Sequence, residues 1–110
     1  MASHPNTAAI LVARLSELDS RAARIEADLA EPLSADFEEQ ATEREDDESL
    51  AQQQALLATE IAAVKAALAR IDEGSYGECV RCGNPVGKKR LVAFPEAALC
   101  IDCAREVEAH

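Results

Sequence analysis

The sequence predicts a mainly α protein, an antiparallel helical hairpin paired as a coiled coil and followed by a small C-terminal four-cysteine module. Three observations predict it. Apolar residues recur at alternating steps of three and four over two long stretches, a proline-containing break of a few residues separates those stretches, and four cysteines stand in two C-x-x-C pairs near the end. The expected division is residues 1–73 for the hairpin, with its tip near 32–41, and residues 74–110 for the module.

The first helix is expected from about Asn6 to Glu31. Leu11, Leu15, Leu18, Ala22, Ile25 and Leu29 form its a/d seam, and Pro32 stops it by withholding an amide donor. The second helix is expected to begin near Ser34 to Asp36, with a seam of Leu50, Leu57, Ile61, Val64, Leu68 and Ile71 and Gln54 as its polar exception. It should end at Gly74, since glycine commonly follows a helix C-terminus. A link as short as Pro32 to Ala35 folds two helices back antiparallel. A turn centred between residues 33 and 34 places Arg24 opposite Glu43 and Arg21 near Asp46. The second helix outruns the first, leaving its last turns to pack on the module.

Cys79-Val80-Arg81-Cys82 and Cys100-Ile101-Asp102-Cys103 are separated by seventeen residues, and the chain has no other cysteine. Two C-x-x-C turns at that spacing describe one tetrahedral four-thiolate zinc site, with Gly83 and Gly87 supplying backbone freedom. Four thiolates fill the coordination sphere and leave no open position for water, so a zinc held by Cys79, Cys82, Cys100 and Cys103 is structural and not hydrolytic. A redox dithiol needs only one such pair, at a helix start within a strand-helix unit, and neither pair follows a clear pattern of that kind. Tyr76, Phe94 and Pro95 flank the ligands and are expected to build the module's core. His4 and His110 lie near the ends with nothing to pair with.

Charge narrows the partners. Twenty-one acidic residues against eleven basic ones give −10, which works against the phosphate-neutralising surface that nucleic-acid affinity requires. With no Trp, one Tyr and two Phe the chain offers few platforms for bases. From Glu31 to Glu60 there are ten acids and one base, Arg44. Such runs are usually solvated helix faces, yet two arginines cannot neutralise ten acids, and a basic docking partner fits the excess. Lys88-Lys89-Arg90 is the one basic cluster, read as a contact for acidic protein surface and not for DNA. The N-terminus lacks a basic leader and Arg14 cuts the early apolar run, so neither a signal peptide nor a membrane span is expected. A cytoplasmic location suits thiolates held by zinc.

Near the break, Asp36-Phe37-Glu38-Glu39 reads as a capping box, with Ser34 as a rival N-cap that would make Asp36 an ordinary first-turn acid. Either explains these residues without a function. A functional reading instead notes their place at the far end of a stiff hairpin, beside Phe37.

The stretch Ala67-Leu-Ala-Arg-Ile-Asp-Glu-Gly-Ser-Tyr-Gly-Glu-Cys-Val-Arg-Cys-Gly, with Lys89-Arg90-Leu91-Val92-Ala93-Phe94-Pro95 and Leu99-Cys100-Ile101-Asp102-Cys103, resembles the DksA/TraR zinc-finger family of bacteria. Counting back from Cys79 without gaps places Asp36, Glu39 and Ala41 where the founding member carries its tip motif Asp-x-x-Asp-x-Ala. The resemblance implies a non-enzymatic, monomeric regulator of transcription initiation that enters the secondary channel of RNA polymerase and brings Asp36 and Glu39 near the active centre. It implies no sequence-specific DNA contact, a slim tip at Ala41, and a zinc module bracing the base. Glu39 is one methylene longer than the usual aspartate. Longer members share a guanosine tetraphosphate site with polymerase, and the basic residues that help build it align with Leu56, Ala63 and Ala104, which cannot pair with phosphate. Regulation without that nucleotide is therefore expected. Two other classes are a zinc-bearing acidic adaptor for another basic protein and a thiol oxidoreductase; pull-down tests the first, and metal content with thiol titration the second.

Overall fold

A computed structural model of the chain describes residues 4–30 and 37–109, with side chains at 4–30 and 47–109. Four helices follow in order: α1 (Pro5–Leu29), α2 (Phe37–Glu73), α3 (Lys88–Ala93) and α4 (Ile101–Glu108). α1 and α2 pair as the two arms of a helical hairpin, as the seams require. Among the described residues there is no strand, only an isolated antiparallel bridge between Glu78 and Pro85. No described helix is long and apolar enough to cross a membrane.

α1 begins with Pro5, where a missing amide proton costs nothing and the fixed φ suits the first turn. His4 precedes it and its carbonyl accepts from the Ala8 amide at 2.9 Å. The helix stops at Leu29, two residues before the expected end, and Pro32 lies outside the described residues, as do Ser34 and Asp36. α2 begins at Phe37, which follows Asp36 directly in the sequence.

The C-terminus of α2 falls where the glycine places it. Gly74 has φ +83°, its amide donates to the Ile71 carbonyl at 3.2 Å, and the Ser75 amide donates to the Arg70 carbonyl at 2.9 Å. These are the two hydrogen bonds of a Schellman ending, which require the left-handed conformation that glycine adopts without penalty. A Cβ at Gly74 would meet nothing within 4 Å, so Gly74→Ala isolates the backbone cost. It should lower stability by about 1 kcal/mol and reduce the thermal midpoint, as read by circular dichroism.

The chain forms two compact units, Met1–Leu15 with Ala62–His110, and Ser16–Ile61. In the first, Leu11, Val64, Ala67 and Ile71 are buried. Ala67 was not on the expected seam; its neighbour Leu68 was, and Leu68 is only partly buried. In the second unit Leu18 and Ile25 are buried, and Leu50, Gln54 and Leu57 are partly so. Ile25, with Arg21 and Arg24, lines a cleft of about 550 Å³ together with Leu50, Gln53, Leu56 and Leu57. These residues lie further along α2 than Glu43 and Asp46, the expected partners of the two arginines. The side chains of Glu43 and Asp46 are outside the described residues; Arg21 pairs within its own helix, donating to Glu17 at 2.6 Å.

Candidate metal centre

Residues 74–109 place the four cysteines by two different local devices. The first pair sits in a knuckle: the Cys79 amide donates to the Asn84 carbonyl at 2.8 Å and the Gly83 amide to the Cys79 carbonyl at 2.9 Å. Gly83 takes φ +79° to close it. The second pair opens a helix. Cys100 is the N-cap of α4, and its sulfur accepts from the Cys103 amide at 3.5 Å. No strand precedes it, so the resemblance to a redox dithiol ends there.

The four Sγ atoms lie within 4.8 Å of one another. The Cys82 and Cys100 sulfurs are 3.8 Å apart, which matches the edge of about 3.8 Å that a tetrahedron with Zn–S bonds of about 2.3 Å must have. A disulfide would bring them to roughly 2.05 Å. Cys79, Cys100 and Cys103 are buried and Cys82 is exposed.

The electrostatics also ask for a cation. Backbone hydrogen bonds at Cys100, then at Cys82 and Arg81, lower the Cys79 thiol to about 6 against the opposing effect of burial. Burial pushes the Cys103 thiol up to about 12, reinforced by hydrogen bonding to the thiols of Cys100, Cys82 and Cys79. The two buried thiols thus shift in opposite directions, and a divalent ion at the centre of the cluster would favour the thiolate of both. The donor set fits one structural zinc.

Around the ligands the core is Cys79, Val86, Cys100 and Cys103, with Leu91, Ala97 and Leu99 packed against it. Pro95 is buried and Tyr76 partly buried, as expected. Phe94 is not part of the core: it follows α3 with 54% of its surface exposed, its ring 6.0 Å from the Arg90 guanidinium. Its backbone ends α3, with its amide on the Arg90 carbonyl. His4 is also engaged, its ring packing edge-on against Tyr76 at 4.9 Å.

Several positioning residues had no sequence signal because their partners lie far away in the chain. Arg81 donates to the Glu106 carboxylate at 2.6 Å and thereby joins the first knuckle to α4. Residues 94–99, which lead directly into Cys100, are held by side chains from four places. Tyr76 Oη donates to the Pro95 carbonyl at 2.8 Å, Arg70 to the Glu96 carbonyl at 3.4 Å and Arg90 Nε to the Leu99 carbonyl at 2.9 Å, while Arg14 pairs with the Glu96 carboxylate at 3.6 Å. Arg90 thus has a structural task, whereas Lys88 and Lys89 are exposed. Burial raises the Tyr76 phenol, with Arg70 opposing and Glu96 adding to the shift, so the hydroxyl stays a donor at neutral pH. Tyr76→Phe should cost about 1 kcal/mol and weaken zinc retention several-fold in competition with a chelator. Unchanged retention would show that the Pro95 anchor does not support Cys100.

The model of the DksA-like (DnaK suppressor protein-like) N-terminal domain matches residues 8–71, and that of the prokaryotic dksA/traR C4-type zinc finger matches residues 74–109. The chain belongs to the DksA/TraR family. The solution structure of the DnaK suppressor protein from Agrobacterium tumefaciens C58 is 39% identical, covers 96% of this chain and 95% of that one, and superposes with a TM-score of 0.66. Transcription factor DksA2 from Pseudomonas aeruginosa is 25% identical with a TM-score of 0.81, covering 99% of this chain and 85% of its own. The RNA polymerase-binding transcription factor DksA of Haemophilus influenzae is 45% identical over 40 residues, which is 36% of this chain and 28% of that protein. The first curated relatives thus match over less than a third of their length. As a family member the chain carries a C4-type zinc finger, and its four cysteines are positioned to bind one metal ion. Of the other expected site residues, Lys88, Lys89 and Arg90 open α3 beside this finger. Asp36 lies outside the described residues; Glu39 and Ala41 lie in α2, with side chains outside them.

Proposed function

We propose that this chain is a non-enzymatic regulator of bacterial transcription initiation that acts by binding RNA polymerase. Membership across both parts of the chain, hairpin and finger, carries the reading, and relatives named as RNA polymerase-binding transcription factors support it. In this reading residues 1–73 enter the secondary channel of polymerase as a monomeric arm, Asp36 and Glu39 reach the active-centre region, and Ala41 keeps the tip narrow. Residues 74–110 brace the arm from outside, with Lys88 and Lys89 on acidic polymerase surface. Ten acids between Glu31 and Glu60 favour capture by a basic channel, at a rate that falls with salt. The protein acts in the cytoplasm and does not read DNA sequence.

Guanosine tetraphosphate is not required on this protein's surface. Leu56 is exposed and Ala63 and Ala104 are partly buried; none of the three can pair with phosphate. The test is transcription in vitro with purified polymerase lacking any nucleotide site of its own, with and without the nucleotide. Regulation of equal size in both is expected. Lys65 and Arg105 are the basic residues nearest to Ala63 and Ala104 in the sequence, so a nucleotide-dependent gain that disappears with Lys65→Ala or Arg105→Ala would overturn nucleotide independence, and no effect of the protein on any promoter would overturn the function.

A further inference from the structure

Within the unit that holds the finger, the start of α1 and the exposed side of α3 enclose an open cleft of about 370 Å³, lined among others by His4, Ile10, Tyr76, Lys88, Leu91 and Val92. Neither the metal centre nor the tip uses it. Its apolar walls face water: Ile10 is 56% exposed and Val92 84%. Ile10 lies next to the seam residue Leu11 but off the seam, and Val92 points away from the module core that holds Leu91. The volume is at the lower end of the roughly 300–1,000 Å³ typical of small ligand pockets, room for one large side chain of a partner.

The rim is basic on a chain whose net charge is −10. Lys88 lines the cleft and Lys89 follows it. Among the described residues neither belongs to an ion pair, whereas Arg90 is engaged with the Leu99 carbonyl. On such a chain the exposed ammonium groups of Lys88 and Lys89 are a local attraction for an acidic segment. An apolar pocket beside exposed ammonium groups is complementary to an apolar anchor flanked by carboxylates.

We propose that this cleft is a docking site for an acidic protein segment, one large apolar side chain of which fills it while neighbouring carboxylates meet Lys88 and Lys89. The inference rests on the polymerase reading, in that polymerase is the protein that supplies the segment. It specifies how that base contact is made, remote in sequence from the hairpin tip: an apolar anchor enters the cleft, and Lys88 and Lys89 meet the carboxylates around it.

The experiment measures binding of the zinc-loaded full chain to purified bacterial RNA polymerase at fixed salt, for the parent, Val92→Asp, Lys88→Glu, Lys88→Arg and Val107→Asp. Val107 is an exposed valine of α4 that does not line the cleft, so its variant controls for added negative charge. Metal content and far-ultraviolet circular dichroism establish that each variant is folded. Val92→Asp and Lys88→Glu should each weaken binding by about tenfold or more, with Lys88→Arg and Val107→Asp within about twofold of the parent. If the parent binds and the two cleft variants bind as tightly, the docking site is wrong and the proposed function stands. A Val107→Asp loss as large as that of Val92→Asp also overturns the site, since charge alone would account for both. No binding by the parent overturns site and function together.

Discussion

Stripping the zinc should unfold residues 75–109 cooperatively while residues 16–61 retain their helices. The expectation follows from what fills the finger's interior. Three of the four buried residues at its centre, Cys79, Cys100 and Cys103, are metal ligands, and Val86 is the fourth. Without the ion the three cysteines are clustered thiols with nothing to bind them together, and the remaining apolar contacts from Leu91, Ala97 and Leu99 are too few to hold about 35 residues together. Structural zinc supplies apparent binding free energies of roughly 10–16 kcal/mol at neutral pH, larger than the stability of most small domains. Hydrogen exchange followed by mass spectrometry is the measurement. Amide protection in α3 and α4 should vanish on chelation and return when zinc is restored, whereas α1 and α2 between residues 16 and 61, with Leu18 and Ile25 buried, should change little. Persistent protection of α4 without metal would show that the apolar contacts suffice and would reduce zinc to an accessory.

Asp36→Asn should abolish the effect on transcription while leaving polymerase binding within about twofold of the parent. Asparagine keeps the size of the side chain and caps a helix about as well as aspartate, so the change removes charge with little effect on the start of α2. If the carboxylate acts at the active centre, its loss separates occupancy from regulation. Should the variant regulate as fully as the parent at matched occupancy, Asp36 is a cap and the tip reading fails. Glu39→Gln provides the companion measurement at the second carboxylate.

Much of the architecture was legible because it rests on strong local signals. The seam from Leu11 to Leu29 specified α1, and Gly74 specified the end of α2 to the residue through a conformation that other residues adopt at a cost. Cysteine spacing gave the metal site whole. What escaped detection has physical reasons. A coiled-coil seam repeats, so the apolar pattern alone is compatible with more than one register between the two helices. The structure adds the cleft that Arg21 and Arg24 share with Leu50 to Leu57; the side chains of Glu43 and Asp46 lie outside the described residues. Composition made Phe94 a core residue because large aromatics are usually buried; the end of α3 instead turns it out beside Arg90. The brace on residues 94–99 depends on Arg14, Arg70, Tyr76 and Arg90, brought together only by the fold.

Cys100 is at once a ligand and the N-cap of α4, and this joint role fixes where the metal site ends. An isolated helix of eight residues does not persist in water, so α4 forms only when Cys100 is held in place. In return α4 carries Glu106 back to Arg81 on the opposite knuckle. The last cysteine of the cluster is Cys103, yet the helix capped by Cys100 runs on to Glu108, so a truncation placed directly after the final sulfur would remove most of the helix that the cluster caps.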